Sequence, residues 1–315
     1  MYHLYRYKPR LVVLGPKIEE LPDAHPSKAR CLRALSLLFG SVGNPAEQKR
    51  LLTHSLRLWR ERGDDNEVAI TLRSLSEANR QMELYEEGIR QAKEASEIFE
   101  RLGGTASQAH TLIILAWLLH DDQQLDAAEE AASHAIDLSE NKQFDVCNCH
   151  RILGRIYYSK SEEEKAKSHF EAALGIASSF GWHGELFSIH YDLARLFFDQ
   201  DRFDDAQAHV ELIKSHVIND TYKLGCAMEL QALLWCIQGR LEEAKIEVLR
   251  AVEVFEKLGA ARNAENCREI LQGIDEETNG SVVSDESDDD GEFLETVLPL
   301  VFINFLRPDW VTESE

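Results

Sequence analysis

The sequence predicts an all-α fold, a solenoid of about six antiparallel helix pairs, on three observations. A two-helix pattern recurs every 38 to 40 residues, so that Tyr85/Gly88, Leu125/Ala128, Glu163/Ala166, Phe203/Ala206 and Leu241/Ala244 fall in register. Small residues recur at fixed offsets from the apolar ones. Only 17 Gly and 7 Pro stand among 315 residues, which suits helices joined by tight turns. A helical pair of this length cannot bury its apolar face alone and must stack on its neighbours. The product of such stacking is surface, and the expected function is therefore recognition rather than catalysis.

Residues 1–26 hold Pro9, Pro16, Pro22 and Pro26 and are expected to form an irregular leader. From Ser27 each unit is marked by an A-helix leucine and, thirteen positions later, a small residue on its B helix. Leu35 with Gln48 is the most degenerate unit. Leu75 with Gly88, Leu115 with Ala128, Leu153 with Ala166 and Leu193 with Ala206 come next, and the sixth unit places Gln231 with Ala244, its leucine having moved to Leu230. Glycines after the last apolar residue, as at Gly63, Gly103 and Gly259, read as helix stops. Residues 260–274 put Ala264, Cys267, Ile270, Leu271 and Ile274 on one stripe, which is the pattern of a capping helix closing a repeat domain over 27–274.

Residues 275–292 are rich in Asp, Glu, Ser and Gly and read as a disordered acidic linker. Within it Ser287, with Asp288 to Asp290 behind it, is a candidate for an acid-directed kinase. Residues 293–315 turn apolar and read as a docking peptide, an end created by a gene-model error, or an ordinary flexible tail. A docking peptide preceded by acidic residues would have the composition to fold back on the repeats.

The spacing also predicts how the helices pack. Ser36, Ser76, Ala116, Gly154, Ala194 and Ala232 each stand one residue after the leucine position, where a small side chain lets A and B helices approach. Three residues further, Phe39, Leu119, Tyr157, Phe197 and Trp235 are placed to fill the space between repeats, with Asn79 the exception.

Leu153-Gly154, Tyr157, Ala166, Phe170 and Ala173 together resemble the tetratricopeptide repeat, in a roughly forty-residue form. Stretches such as Leu84-Tyr-Glu-Glu-Gly88 and Gln124-Leu-Asp-Ala-Ala-Glu-Glu130 are similar to the repeat region of fungal signal-transduction NTPases. The resemblance implies a right-handed superhelix whose A helices line a concave face. It does not carry over NTPase activity, because no Gly-x-x-x-x-Gly-Lys-Ser/Thr motif is present.

The formal net charge of −22 argues against nonspecific binding to nucleic acid or to anionic membrane. Six cysteines without paired spacing read as small buried hydrophobes in a reducing, cytoplasmic setting, with the nucleus also open to such a protein. Metalloprotease, nucleophile-elbow and dinucleotide motifs are missing, so no catalytic residue, cofactor or metal is expected. Cys147, Cys149 and His150 point in different directions on one helix and read as packing residues. His120-Asp121-Asp122 and Asp204-Asp205 read as helix-end capping.

The groove-facing positions that the resemblance implies yield mainly arginines and aromatics: Arg30, Arg33, Arg73, Arg80, His110, Trp117, His120, Arg151, Arg155, Tyr158, Tyr191, Arg195 and Phe198, against Glu77, Asp199, Glu229 and the neighbouring Asp121. Guanidinium forks bind carboxylates and aromatic faces supply rigid contact area. The expected protein is thus a non-enzymatic scaffold for a protein or peptide partner of acidic character. Its charged contacts would be Arg73, Arg80, Arg151, Arg155 and Arg195, and its apolar contacts Trp117, Tyr158 and Tyr191. Simple pairing of these arginines with glutamates on adjacent helices is the plainer alternative. Two further readings are a sensor region detached from a larger signalling NTPase and an enzyme with an unrecognised site.

Overall fold

The computed structural model describes residues 14–41, 44–139, 142–216, 221–258 and 260–280. Among them all regular structure is helical. The helices are α1 (Lys28–Ser41), α2 (Pro45–Arg62), α3 (Asp65–Gln81), α4 (Tyr85–Arg101), α5 (Thr105–Asp121), α6 (Leu125–Ser139), α7 (Gln143–Ser159), α8 (Glu163–Phe180), α9 (His183–Asp199), α10 (Phe203–His216), α11 (Thr221–Ile237), α12 (Leu241–Leu258) and α13 (Ala261–Gly280). Odd-numbered helices from α1 to α11 are the A helices and even-numbered ones the B helices. From α3 to α13 the odd helices begin at residues 65, 105, 143, 183, 221 and 261, so their spacing alternates between 40 and 38. The alternation lies in the B helices: α4, α8 and α12 have 17, 18 and 18 residues, whereas α6 and α10 have 15 and 14.

Helix boundaries obey local chemistry. Asn44 and Asp64 cap α2 and α3 by accepting from the Glu47 and Glu67 amides, and Pro45 stands at the head of α2, where its missing N–H is no loss. Each B helix with a described end hands over through glycine in the left-handed region, at Gly63, Gly103 and Gly181 with φ of 67 to 69°. The A-to-B turns need the same conformation, yet four of the five use Glu83, Gln123, Ser161 and Asp201, at φ of 57 to 61°. Non-glycine residues carry a steric cost there, which only tertiary packing can offset.

Two compact units divide the chain, one reaching Ile176 and the other beginning at Ala177. In the first, α1 packs on α2, α3 on α4 and α5 on α6, and the A helices α3, α5 and α7 also touch in succession. In the second, α9 packs on α10, α11 on α12 and α12 on α13, while α9 meets α11 and α11 meets α13. An A helix in the middle of such a stack has neighbours on nearly every side. Thus α5 is buried without a break from Thr111 to His120, and α9 from Leu186 to Phe198. B helices keep one wet face, as α4 does by burying Gly88, Ile89, Gln91, Ala92, Ala95, Ser96, Ile98 and Phe99 at helical spacing.

The small-residue positions are where helices meet most closely. Ser36, Ser76, Ala116, Ala194 and Ala232 have no exposed surface. A methyl added at Gly154 would stand 2.5 Å from the Phe170 ring, one at Gly88 2.7 Å from Leu118, and one at Gly225 2.8 Å from Phe255. Asn79, the polar exception between repeats, is fully buried and donates from Nδ2 to Gln91 Oε1 at 2.8 Å.

Two boundaries differ from those the sequence suggests. Residues 14–19 are helical inside the stretch expected to be irregular, because Pro16, though unable to donate, still accepts from the Glu20 amide at 2.9 Å. The Lys28 ammonium anchors the turn after this helix, donating to the Glu19 carbonyl at 3.0 Å and pairing with Asp23 at 2.8 Å. At the other end α13 runs to Gly280, six residues past Ile274, so 275–280 are helix rather than disordered linker. Thr278 donates back to the Ile274 carbonyl and Asp275 pairs with Lys245 of α12. Gly259, Ser287, the rest of the acidic segment and the apolar tail lie outside the described residues.

Candidate functional site

In the first unit, α3, α5 and α7 bring four of the selected residues together. Trp117 lies on α5 with three guanidinium carbons near its ring centre: Arg80 at 4.9 Å, Arg151 at 5.1 Å and Arg155 at 5.5 Å. The π face of an indole is the best side-chain surface for a cation, and this is how three like charges are held close in a dry place. Trp117, Arg151 and Arg155 are 5%, 4% and 5% exposed. The wall is therefore largely closed, not an open row of arginines.

Asp121, read from sequence as a capping residue, is instead part of this cluster. Its carboxylate accepts from Arg80 Nε at 2.6 Å and lies 3.1 Å from His120 Nδ1. Burial works to raise the Asp121 carboxyl, and the Arg80 charge with the His120 hydrogen bond more than reverses this, holding it well below the usual carboxylate range. His120 is pushed the other way: burial and the Arg155 charge outweigh its bond to Asp121 and lower it. Its Nε2 meets Ser159 at 3.1 Å. The cap position itself belongs to Asp122, whereas Asp204 and Asp205 do stand in the first turn of α10 as expected.

The remaining selected residues are dispersed. Arg73 lies over the Phe99 ring at 5.9 Å, half-buried, with burial lowering its guanidinium. Arg33 and Arg30 pair with Glu67 at 2.8 and 4.0 Å, the plainer reading for those two. Tyr158 is half-buried and His110, whose imidazole is 44% exposed, faces Asp145 at 3.6 Å.

In the second unit Tyr191 and Arg195 occupy α9 and Glu229 occupies α11, at 5%, 6% and 2% exposure. Burial pushes the Glu229 carboxyl up to about 8, against the pull of Arg195, and its Oε1 has no hydrogen-bond partner. Burial also drives the Tyr191 phenol well up and, with Asp201 nearby, raises Asp199 to about 7. Phe198 is buried against Phe203, edge to face at 5.8 Å.

The cysteines among the described residues are free thiols. Cys147 donates to the Ala173 carbonyl at 3.5 Å, and burial pushes the Cys149 thiol up to about 12. Sequence reasoning passed over two histidine pairs that join A to B helices: His150 to His169 and His190 to His209. Their signal was available, since both members repeat at an interval of 40 residues. Among the described residues no helix is long and apolar enough to cross a membrane.

A family model for the tetratricopeptide repeat matches residues 152–180, which span most of α7 and all of α8. A Rap protein solved in complex with Competence and Sporulation Factor is 13% identical, with 87% of this chain and 81% of that one covered and a TM-score of 0.65. The apo form of RapI is 13% identical over 82% of this chain and 96% of that one, at 0.64. A Pyrococcus horikoshii signal transduction ATPase with numerous domains, carrying a tetratricopeptide repeat sensor, is 15% identical at 0.62, and this chain covers 44% of it. No curated protein matches the sequence. The chain is a TPR-like helical-repeat protein, and its fold is one consistent with a protein-binding scaffold.

Proposed function

We propose that the chain is a non-enzymatic scaffold that binds an acidic protein or peptide through the face made by α3, α5 and α7. The observation that carries this reading is the gathering of Arg80, Arg151 and Arg155 around Trp117. Charges in a water-poor setting are weakly screened, so buried guanidiniums project a positive potential from a protein whose net charge is −22. A partner would meet the more accessible Arg73, Arg80 and Tyr158 first. Tyr191 and Arg195 would serve as contacts in the second unit. The similar Rap protein, solved with a bound factor, supports a recognition role for the fold.

The test is fluorescence polarisation with a labelled Asp/Glu-rich peptide containing one aromatic residue, on the full chain and on Arg151→Gln/Arg155→Gln. The expected result is at least a tenfold loss, the ~1.4 kcal/mol equivalent of one charge-assisted contact, with helical content unchanged. Equal binding by both proteins overturns the reading. A second reading, that the chain is the sensor region of a larger signalling NTPase, is favoured by the likeness to part of the Pyrococcus ATPase. Sequencing the full transcript for a nucleotide-binding segment decides it.

A further inference from the structure

The histidine pairs recur too closely to be incidental packing. His150 Nδ1 lies 3.0 Å from His169 Nδ1, and His190 Nδ1 lies 2.9 Å from His209 Nδ1. The ring centres are 5.3 and 5.1 Å apart, with interplanar angles of 35 and 39°. Each B-helix ring is backed by an aromatic ring of the A helix, Tyr157 on His169 at 5.2 Å and Phe197 on His209 at 5.4 Å. One pair belongs to each compact unit.

Two nitrogens at this separation, each 2.0 to 2.1 Å from a shared ion, subtend roughly 90°. That is the angle between adjacent positions of a tetragonal or octahedral ion, the geometry of Cu²⁺ and Ni²⁺, and imidazole is a donor both ions favour. We propose that each pair is a two-histidine chelate for a late first-row divalent metal ion, clamping an A helix to its own B helix. Among the described residues no three His, Cys, Asp or Glu side chains are placed to share an ion, so water would fill the remaining coordination positions. Burial lowers His150, His169 and His209, which keeps their rings neutral and able to donate a lone pair. In the empty pair one Nδ1 carries the proton shared between the rings. Metal capture moves that proton to the Nε2 of the same ring, so no net proton is released.

The surroundings rank the two sites. Four residues before His169 stands Lys165, whose charge disfavours a cation there, and four before His209 stands Asp205, whose charge favours one. Both are more than half exposed, at 60% and 51%. The site in the second unit should therefore bind more tightly.

Calorimetric titration of the full, untagged chain with Ni²⁺ alone is expected to show two ions per chain. His169→Gln and His209→Gln should each leave one ion and the double variant none. Lys165→Asp should tighten the first site about threefold, and Asp205→Lys should weaken the second by a similar factor, as exposed charges allow. Because a histidine variant can disturb packing, imidazole NMR of the unaltered chain provides a second measurement. Ni²⁺ should broaden the four paired histidines before His54, His110 or His134. No binding to the unaltered chain, two ions retained by the double variant, or broadening that begins elsewhere would overturn the proposal.

Discussion

Arg155 and Arg195 occupy the same position in successive repeats, forty residues apart, yet the two units treat them differently. In the first unit the charge of Arg155 faces an indole ring, in a cluster whose carboxylate, Asp121, is held ionised by Arg80. In the second unit Arg195 shares its surroundings with Glu229, whose carboxyl burial has raised to about 8. Burying a guanidinium is costly in both cases. An aromatic face offsets part of the cost without adding a titrating group, whereas a buried carboxylate ties it to pH.

Trp117→Ala should break the comparison most severely. It removes a buried ring from beneath three cations, and a loss of about 3–5 kcal/mol in the stability of the first unit is expected from denaturant unfolding. Hydrogen exchange should locate the loosening on α3, α5 and α7. If α9 and α11 loosen equally, the clusters are not independent.

Asp121→Asn and Glu229→Gln are the same chemical change with opposite expected outcomes. The first strands Arg80 and should cost about 2–3 kcal/mol at pH 7. Because the Asp121 carboxyl sits lower in the folded chain than in the unfolded one, its contribution is present above the ordinary carboxylate range and lost as pH falls through its depressed value. Glu229 has the reverse sign. Raised in the folded chain, it is tolerated below the ordinary glutamate value and becomes a liability as pH rises through about 8. Glu229→Gln should therefore stabilise by about 2 kcal/mol at pH 9 and by less at pH 6. A pH-independent effect would show that the carboxyl is not desolvated.

The turns give the smallest effect. Gln123→Gly in the first unit and Asp201→Gly in the second replace side chains at φ of 61 and 57°. Thermal unfolding should show each within about 1 kcal/mol of the parent, with the change stabilising, because relief of the left-handed strain competes with a freer unfolded chain.

The repeat period, the small contact positions and the apolar stripes were legible because they depend on spacing within one helix or one hairpin. Gly154 beneath Phe170 is sixteen residues from its partner, inside a single unit. Burial of the arginine wall was not legible, since it depends on how three A helices close on one another. Asp121 reads as a cap because its helix end is visible in sequence, whereas its partner Arg80 is 41 residues away. The histidine pairs were missed for a different reason: each ring alone is an ordinary amphipathic residue, and only the fold sets the two lone pairs face to face.

The alternation of longer and shorter B helices means that the building block of this chain is a doublet of 78 residues. Grafting or deleting one 38- or 40-residue unit would place two outer helices of equal length side by side and shift every later junction out of phase. Engineering that adds or removes whole doublets leaves each junction with the partner it already fits.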